Sequence, residues 1–233
     1  MRFDLQTWQR WSEWICRIRD DLSDLVDDQA TFDGFNEMVN ANAAWLDQHN
    51  GAHFINFVRR GYVTKTVLGI RRHVKCDHES ISLQRLFDQL RRAGPQLTYD
   101  FYLERFPDDG IPWQQPSFNR LSEDGQTVSP AKIEEDILRL ATLNTDIKTM
   151  ADRDLAHLDM RVYDGTVTFK DLRDAVDIFD QLARRYISFL LGEGYSTLKA
   201  TVLFDWKAIF RHPWEQRTID EIRQAQRNRN PTS

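Results

Sequence analysis

A chain of 233 residues, 41% hydrophobic and 29% charged, is long enough to bury one substantial core and too short to demand two domains. Its net charge of -5 argues against a general nucleic-acid binder, which ordinarily carries a basic excess. No apolar run approaches the roughly 20 residues of a membrane-spanning helix, and the opening MRFDLQTWQRW, with Asp4 and no apolar stretch, does not read as a secretory signal.

In chain order, the first predicted element is a helix from about Leu5 to Val26. Trp8, Trp11, Ile15, Ile18, Leu22 and Leu25 recur at three- and four-residue steps, the spacing of one buried face. Phe32, Phe35 and Val39 predict a second, shorter helix, with Asp33-Gly34 at its start or at a kink. A third runs from HNG at 49–51 to about Val74. Its apolar residues point in many directions, which predicts a central, well-covered element. GYVTKTV within it would also suit a strand, but the length and the lack of alternation favour helix.

SISLQRLFDQLRRAG reads as a helix capped by Ser80 or Ser82 and ended by Gly94-Pro95, and Tyr99 to Phe106 as another. The Pro, Gly and Asp content of residues 107–128 predicts a long inserted loop, either covering a cleft or decorating the surface. Ser129-Pro130 then opens a helix with Ile133, Ile137 and Leu140 on its buried face. Glu134, Glu135 and Asp136 lie near the positive end of its dipole. After the segment 151–159, VYDGTVTF predicts a turn or small hairpin with Asp164-Gly165 at its tip. Thr168 caps a last long helix through Leu172, Val176, Phe179, Leu182, Ile187 and Leu190, ended by LGEGYS. The sum is an all-α antiparallel helical bundle, one domain over 1–217, with a hydrophilic and mobile tail over 218–233.

Charge is unevenly distributed. From Gln48 through Cys76 there is no acidic residue, while Arg59, Arg60, Lys65, Arg71, Arg72 and Lys75 all fall there; acids gather at Asp20, Asp21, Asp24, Asp27 and Asp28. Pairing between two helices of one chain is the favoured explanation, and a local phosphate-binding patch the alternative.

The segment ADRDLAHLD, residues 151–159, holds the densest chemistry. On a helix, Arg153 and His157 stand at i and i+4 and share a face. A guanidinium that holds a phosphate and an imidazole that moves a proton can act together on one phosphodiester. On spacing alone, the polar end of a helix is the favoured explanation, with Asp154 or Asp159 bonding His157.

This segment resembles the Asp-(Arg/Lys)-x-x-Ala-His-x-Asp stretch that small helical HEPN proteins carry at the end of a core helix. VLGIRRHVKCDHESISLQRLFDQL, residues 67–90, resembles the AbiU-type branch of that superfamily, named for phage abortive infection. The resemblance implies a helical bundle, a homodimer, an RNA substrate, a place in phage defence or a toxin–antitoxin system with an antitoxin protein as partner, and metal-independent endoribonuclease chemistry without a cofactor. It implies His157 as general acid/base, Arg153 as phosphate-binding cation, and Asp152 or Asp159 orienting the imidazole. The family places four to six residues between arginine and histidine, whereas Arg153 and His157 have three between them. That departure keeps open a non-catalytic RNA- or protein-binding module with a degenerate motif. Five residues separate Arg72 from His78 and six separate Arg71 from it, which matches the family spacing at the wrong point of its order. With Asp77 these form a second-choice group, structural or bordering the cleft.

Weaker signals remain. His73, Cys76 and His78 are metal-ligand types without the paired spacings or fourth ligand of a zinc site, so no metal is expected. Cys16 and Cys76, far apart in sequence, fit reduced thiols in a cytoplasm. Trp8 and Trp11, at helical spacing, are expected in the core rather than stacked on bases. No phosphate-cradling glycine loop or nucleophile elbow is present.

Overall fold

The computed structural model describes residues 3–77, 79–107, 112–142, 147, 150, 167–211 and 220–224. The chain divides into two compact units, Met1–Lys199 and Ala200–Ser233. The first is an all-α bundle. Among the described residues there is no strand, only an isolated bridge between Thr98 and Thr127.

Helix α1 spans Leu5–Ala41, its first turn capped by Asp4, whose carboxylate accepts the Gln6 and Thr7 N–H groups at 3.1 Å each. The two helices predicted over this stretch are one. Gly34 costs a helix interior only about 1 kcal/mol, and aromatic packing offsets it. Phe32 stacks on Tyr62 at 3.9 Å and meets Phe169 at 5.2 Å, and Phe35 meets Phe54 edge-on. After the short α2, Ala43–Gln48, helix α3 covers Ala52–Val74 and returns antiparallel along α1. The pairs Phe32–Tyr62, Asp28–Lys65 and Asp21–His73 descend in one helix as they ascend in the other. The Leu25 side chain of α1 packs directly on Gly69, where a Cβ would stand 2.7 Å from its Cδ2.

The expectation that α3 is well covered holds only for its last third. Its buried residues are Thr66, Val67, Gly69, Ile70 and His73, whereas Phe54 and Phe57 are exposed. Apolar residues spread around a helix need neighbours on every side, and the core ends before this half of α3 begins.

Helix α4, Leu83–Ala93, starts at Ser82, whose hydroxyl accepts the Arg85 N–H, and buries Leu83, Leu86, Phe87 and Leu90. A 3-10 turn at Gly94–Gln96 leads to α5, Tyr99–Arg105, then α6, Gln114–Asn119, and α7, Pro130–Thr142. Helix α8, Phe169–Leu191, is the central element, with ten buried side chains. A reciprocal capping box of Thr168 and Asp171 opens it, and Gly192, at φ 69°, closes it. It runs antiparallel to α1, as Trp8–Phe189 and Asp33–Arg173 show, and to α7 through Arg185–Asp136 and Arg139–Gln181. Phe87 stacks on Tyr186 at 4.1 Å in the middle of the bundle. Trp8 sits among Phe101, Tyr102, Phe106 and Phe189.

The stretch predicted as an inserted loop is built into the core. It contains α6, and Phe118, Leu121 and Val128 are fully buried. A turn over 122–127 is tied by Asp124, whose carboxylate accepts the Gln126 and Thr127 N–H groups at 2.8 and 2.9 Å. Three apolar residues at irregular spacing carry no period, so turn residues dominate the sequence signal here.

In the second unit, a 3-10 turn at Trp206–Arg211 is held by Arg211 on Asp205, and residues 220–224 are helical. Val202, Leu203, Phe204, Ile209 and Phe210 are exposed there. The division at 199/200 falls upstream of residue 217, and the remainder of the predicted tail lies outside the described residues. No described helix is long and apolar enough to cross a membrane.

Candidate functional site: an arginine hollow on the third helix

The separated charges noted in the sequence meet across the α1–α3 seam. Asp28 pairs with Lys65, and Asp21 receives both Arg72 and the Nε2 of His73, the latter at 2.7 Å. Being bonded to His73, and secondarily beside Arg72, holds the Asp21 carboxyl below the ordinary range despite its partial burial. His73 is buried against Phe179, and its Nδ1 has no partner among the described residues.

Members of the second-choice group are engaged within the chain. Arg72 is committed to Asp21. Asp77 receives Lys75 Nζ at 3.0 Å and the Glu79 N–H at 3.2 Å, which shapes the turn between α3 and α4. Arg71 is half-buried beside Arg72 and also engaged, and His78 lies outside the described residues. Cys16 is half-buried and Cys76 exposed, both as free thiols. Among the described residues no three His, Cys, Asp or Glu side chains come together as a metal site.

The primary group, Asp152, Arg153, His157 and Asp159, lies outside the described residues, as does the hairpin expected at Asp164-Gly165. The residues bracketing that stretch are placed. Met150 on one side and Phe169 on the other line a single hollow of about 480 Å³, whose remaining walls are Asn56, Arg59, Arg60, Val63 and Thr64 of α3. Among the described residues no carboxylate lines it. Arg60 Nε donates to the Asn56 carbonyl at 3.4 Å, and Arg59 Nε is buried without a hydrogen-bond partner among the described residues. Neither arginine makes an ion pair among the described residues.

The basic run of the sequence is thus split by geometry. Lys65 and Arg72 fall where α1 presents carboxylates, while Arg59 and Arg60 lie further along, beside Met150 and Phe169. Two guanidiniums over an apolar floor of Val63, Met150 and Phe169 can hold a phosphodiester and shield it partly from water. Sequence reasoning included both arginines in the run without separating them from their neighbours.

It also missed a buried network. Asp136 is 1% exposed and accepts Arg185 Nη1 at 2.8 and 2.7 Å and the Tyr186 hydroxyl at 3.0 Å. Burial, then the adjacent Asp136 charge, pushes the Tyr186 phenol well above its ordinary value. The signal was available: Asp136 stands between Ile133 and Leu140 on the inward stripe of α7.

Comparison with family models, with characterised proteins and with solved structures returned no significant match. The function therefore rests on the residues themselves.

Proposed function

We propose that this chain is a HEPN-like protein of a phage-defence or toxin–antitoxin system that acts on RNA in the cytoplasm as a homodimer, without a metal or other cofactor. Arg153 is the phosphate-binding cation, His157 the general acid/base, and Asp152 or Asp159 the group that orients the imidazole. The observation that carries the reading is the arginine hollow. The segment bearing Arg153 and His157 is joined on both sides to residues, Met150 and Phe169, that share walls with Arg59 and Arg60. Two guanidiniums without carboxylate partners among the described residues, beside that segment, suit a polyanion, although the chain as a whole is acidic.

The chemistry is a transesterification. One imidazole removes the 2′-hydroxyl proton, the 2′ oxygen bonds to phosphorus, and the bond to the 5′ oxygen breaks. A protonated imidazole supplied by the second protomer's copy of the motif returns a proton to the leaving oxygen, while guanidinium charge stabilises the crowded phosphate. Cleavage of single-stranded RNA in EDTA tests this. The wild type cuts, leaving a 2′,3′-cyclic phosphate, and His157→Ala does not. Equal cutting by both removes His157 from the mechanism.

The three-residue spacing between Arg153 and His157 favours a second reading, a non-catalytic module that binds RNA or an antitoxin-like protein. Overexpression separates the two. The nuclease arrests growth and His157→Ala relieves it, whereas the module does neither.

A further inference from the structure

A second hollow of about 520 Å³ lies on another part of the first unit, lined by Arg120, Gln181, Arg184, Arg185 and Tyr195. Its volume falls in the range of small-molecule sites. Among the described residues, every charged side chain in its lining is an arginine.

The hollow is built rather than incidental. The Arg185 guanidinium is fixed by buried Asp136, which takes both bonds from Nη1 and leaves Nη2 and Nε without a partner among the described residues. Arg184 is fixed through Nε by Asp180 at 2.9 Å and donates through Nη1 to the Tyr195 carbonyl at 3.4 Å, which leaves Nη2 without a partner among the described residues. Gln181 accepts from Arg139 at 3.1 Å through its oxygen, so its amide nitrogen remains a donor. Arg120 follows α6, which is tied to α8 by the Ser117–Ser188 hydroxyl bond at 2.9 Å, and it makes no ion pair among the described residues.

Asp180 also accepts the Leu198 N–H at 2.6 Å and so draws the 193–198 loop against α8. That loop carries Tyr195, whose hydroxyl donates to Glu193 at 2.7 Å while the residue remains 40% exposed. The nearby carboxylates are all occupied: Asp136 and Asp180 by the arginines, Glu193 by Tyr195 and by Arg19 at 3.0 Å. None of the three lines the hollow.

Guanidinium donors held from behind, only partly satisfied among the described residues and set beside Tyr195, suit one kind of ligand. The geometry points to a binding site for a nucleotide's terminal phosphate, with Arg120, Arg184 and Arg185 on the phosphate oxygens and Tyr195 under the base. The chemistry is that of a free mononucleotide or of a 5′-phosphorylated RNA end. This site stands apart from the Arg59 hollow and does not depend on nuclease activity.

Calorimetric titration of the full chain with ADP, and with a short RNA carrying either a 5′-phosphate or a 5′-hydroxyl, tests it. Arg120→Ala weakens binding by about tenfold or more, the loss of one charge-assisted contact. Tyr195→Ala weakens it and Tyr195→Phe restores it. Arg59→Ala and His157→Ala leave ADP binding unchanged, which separates this site from the proposed nuclease centre. Binding of ADP identifies a free nucleotide as ligand, and binding of only the 5′-phosphorylated RNA identifies a strand end. No binding of any of these probes, or equal binding by the wild type, Arg120→Ala and Tyr195→Ala, overturns the proposal.

Discussion

Asp136→Ala tests the energetics of the bundle most directly. In the wild type the carboxylate serves Arg185 and Tyr186 together from a position that is 1% exposed. Arg185 has a side chain 32% exposed and can turn to water, so its share of the loss is discounted to about 1 kcal/mol. The Tyr186 hydroxyl is fully buried and is left without a partner, a penalty of about 1–3 kcal/mol. The carboxyl-sized void adds about 1 kcal/mol at most. The expected loss is therefore about 3 kcal/mol, or a melting temperature lower by roughly 6–12 °C for a domain of this size. Urea unfolding followed by circular dichroism measures it. Tyr186→Phe alone loses about 1 kcal/mol, and in the double variant the stranded hydroxyl is gone, so the two losses combine to less than their sum by about 1–2 kcal/mol. A loss under about 1 kcal/mol for Asp136→Ala at unchanged urea slope, or strict additivity with Tyr186→Phe, would refute the argument.

Three further outcomes follow from described contacts. Gly192→Ala places a Cβ 2.8 Å from Trp113 at a residue with φ 69°, and is expected to destabilise by about 2 kcal/mol in thermal unfolding. Burial pushes the Tyr102 phenol up to about 12 from 10, its hydroxyl lying beside Ser117 without a formed hydrogen bond. Stability is then intact below pH 10 and falls as pH rises toward about 12, by up to roughly 3 kcal/mol, and Tyr102→Phe flattens that alkaline limb in urea titrations run across the range. On the proposed RNA-binding reading, Arg59→Ala lowers affinity for single-stranded RNA and reduces the slope of log affinity against log salt by about 0.7, which fluorescence anisotropy over a salt series reads.

The sequence made the bundle legible where apolar spacing was regular. Trp8 to Leu25 and Leu172 to Leu190 fall on the buried faces of α1 and α8, and Ser82 and Thr168 cap where their chemistry required. It misled where a local rule was overruled by distant partners. Asp33-Gly34 reads as a break, yet Tyr62 and Phe169 hold the helix through it. Phe118, Leu121 and Val128 belong to the core although nothing in their spacing announces a helix. At the site, the pooling of acids and bases was visible, but which bases would find acids depended on the register of α1 against α3. That register assigns Lys65 and Arg72 to carboxylates and leaves Arg59 and Arg60 without an ion pair among the described residues. Asp136 was read as a dipole partner because its sequence neighbours are acidic; the deciding fact was the face it occupies, shared with Ile133 and Leu140.

The uneven anchoring of α3 has a dynamic consequence. Its residues 52–65 contribute no buried side chain, and α2 contributes none either, whereas Thr66 to His73 are wedged between α1 and α8. Amide protons should therefore exchange with solvent by opening of this hairpin alone at its tip, and only by global unfolding toward Ile70. Arg59 and Arg60 stand on the fraying side of that gradient, so a polyanion seated between them would slow exchange over a whole helical turn, and affinity there would be set partly by the ordering it imposes.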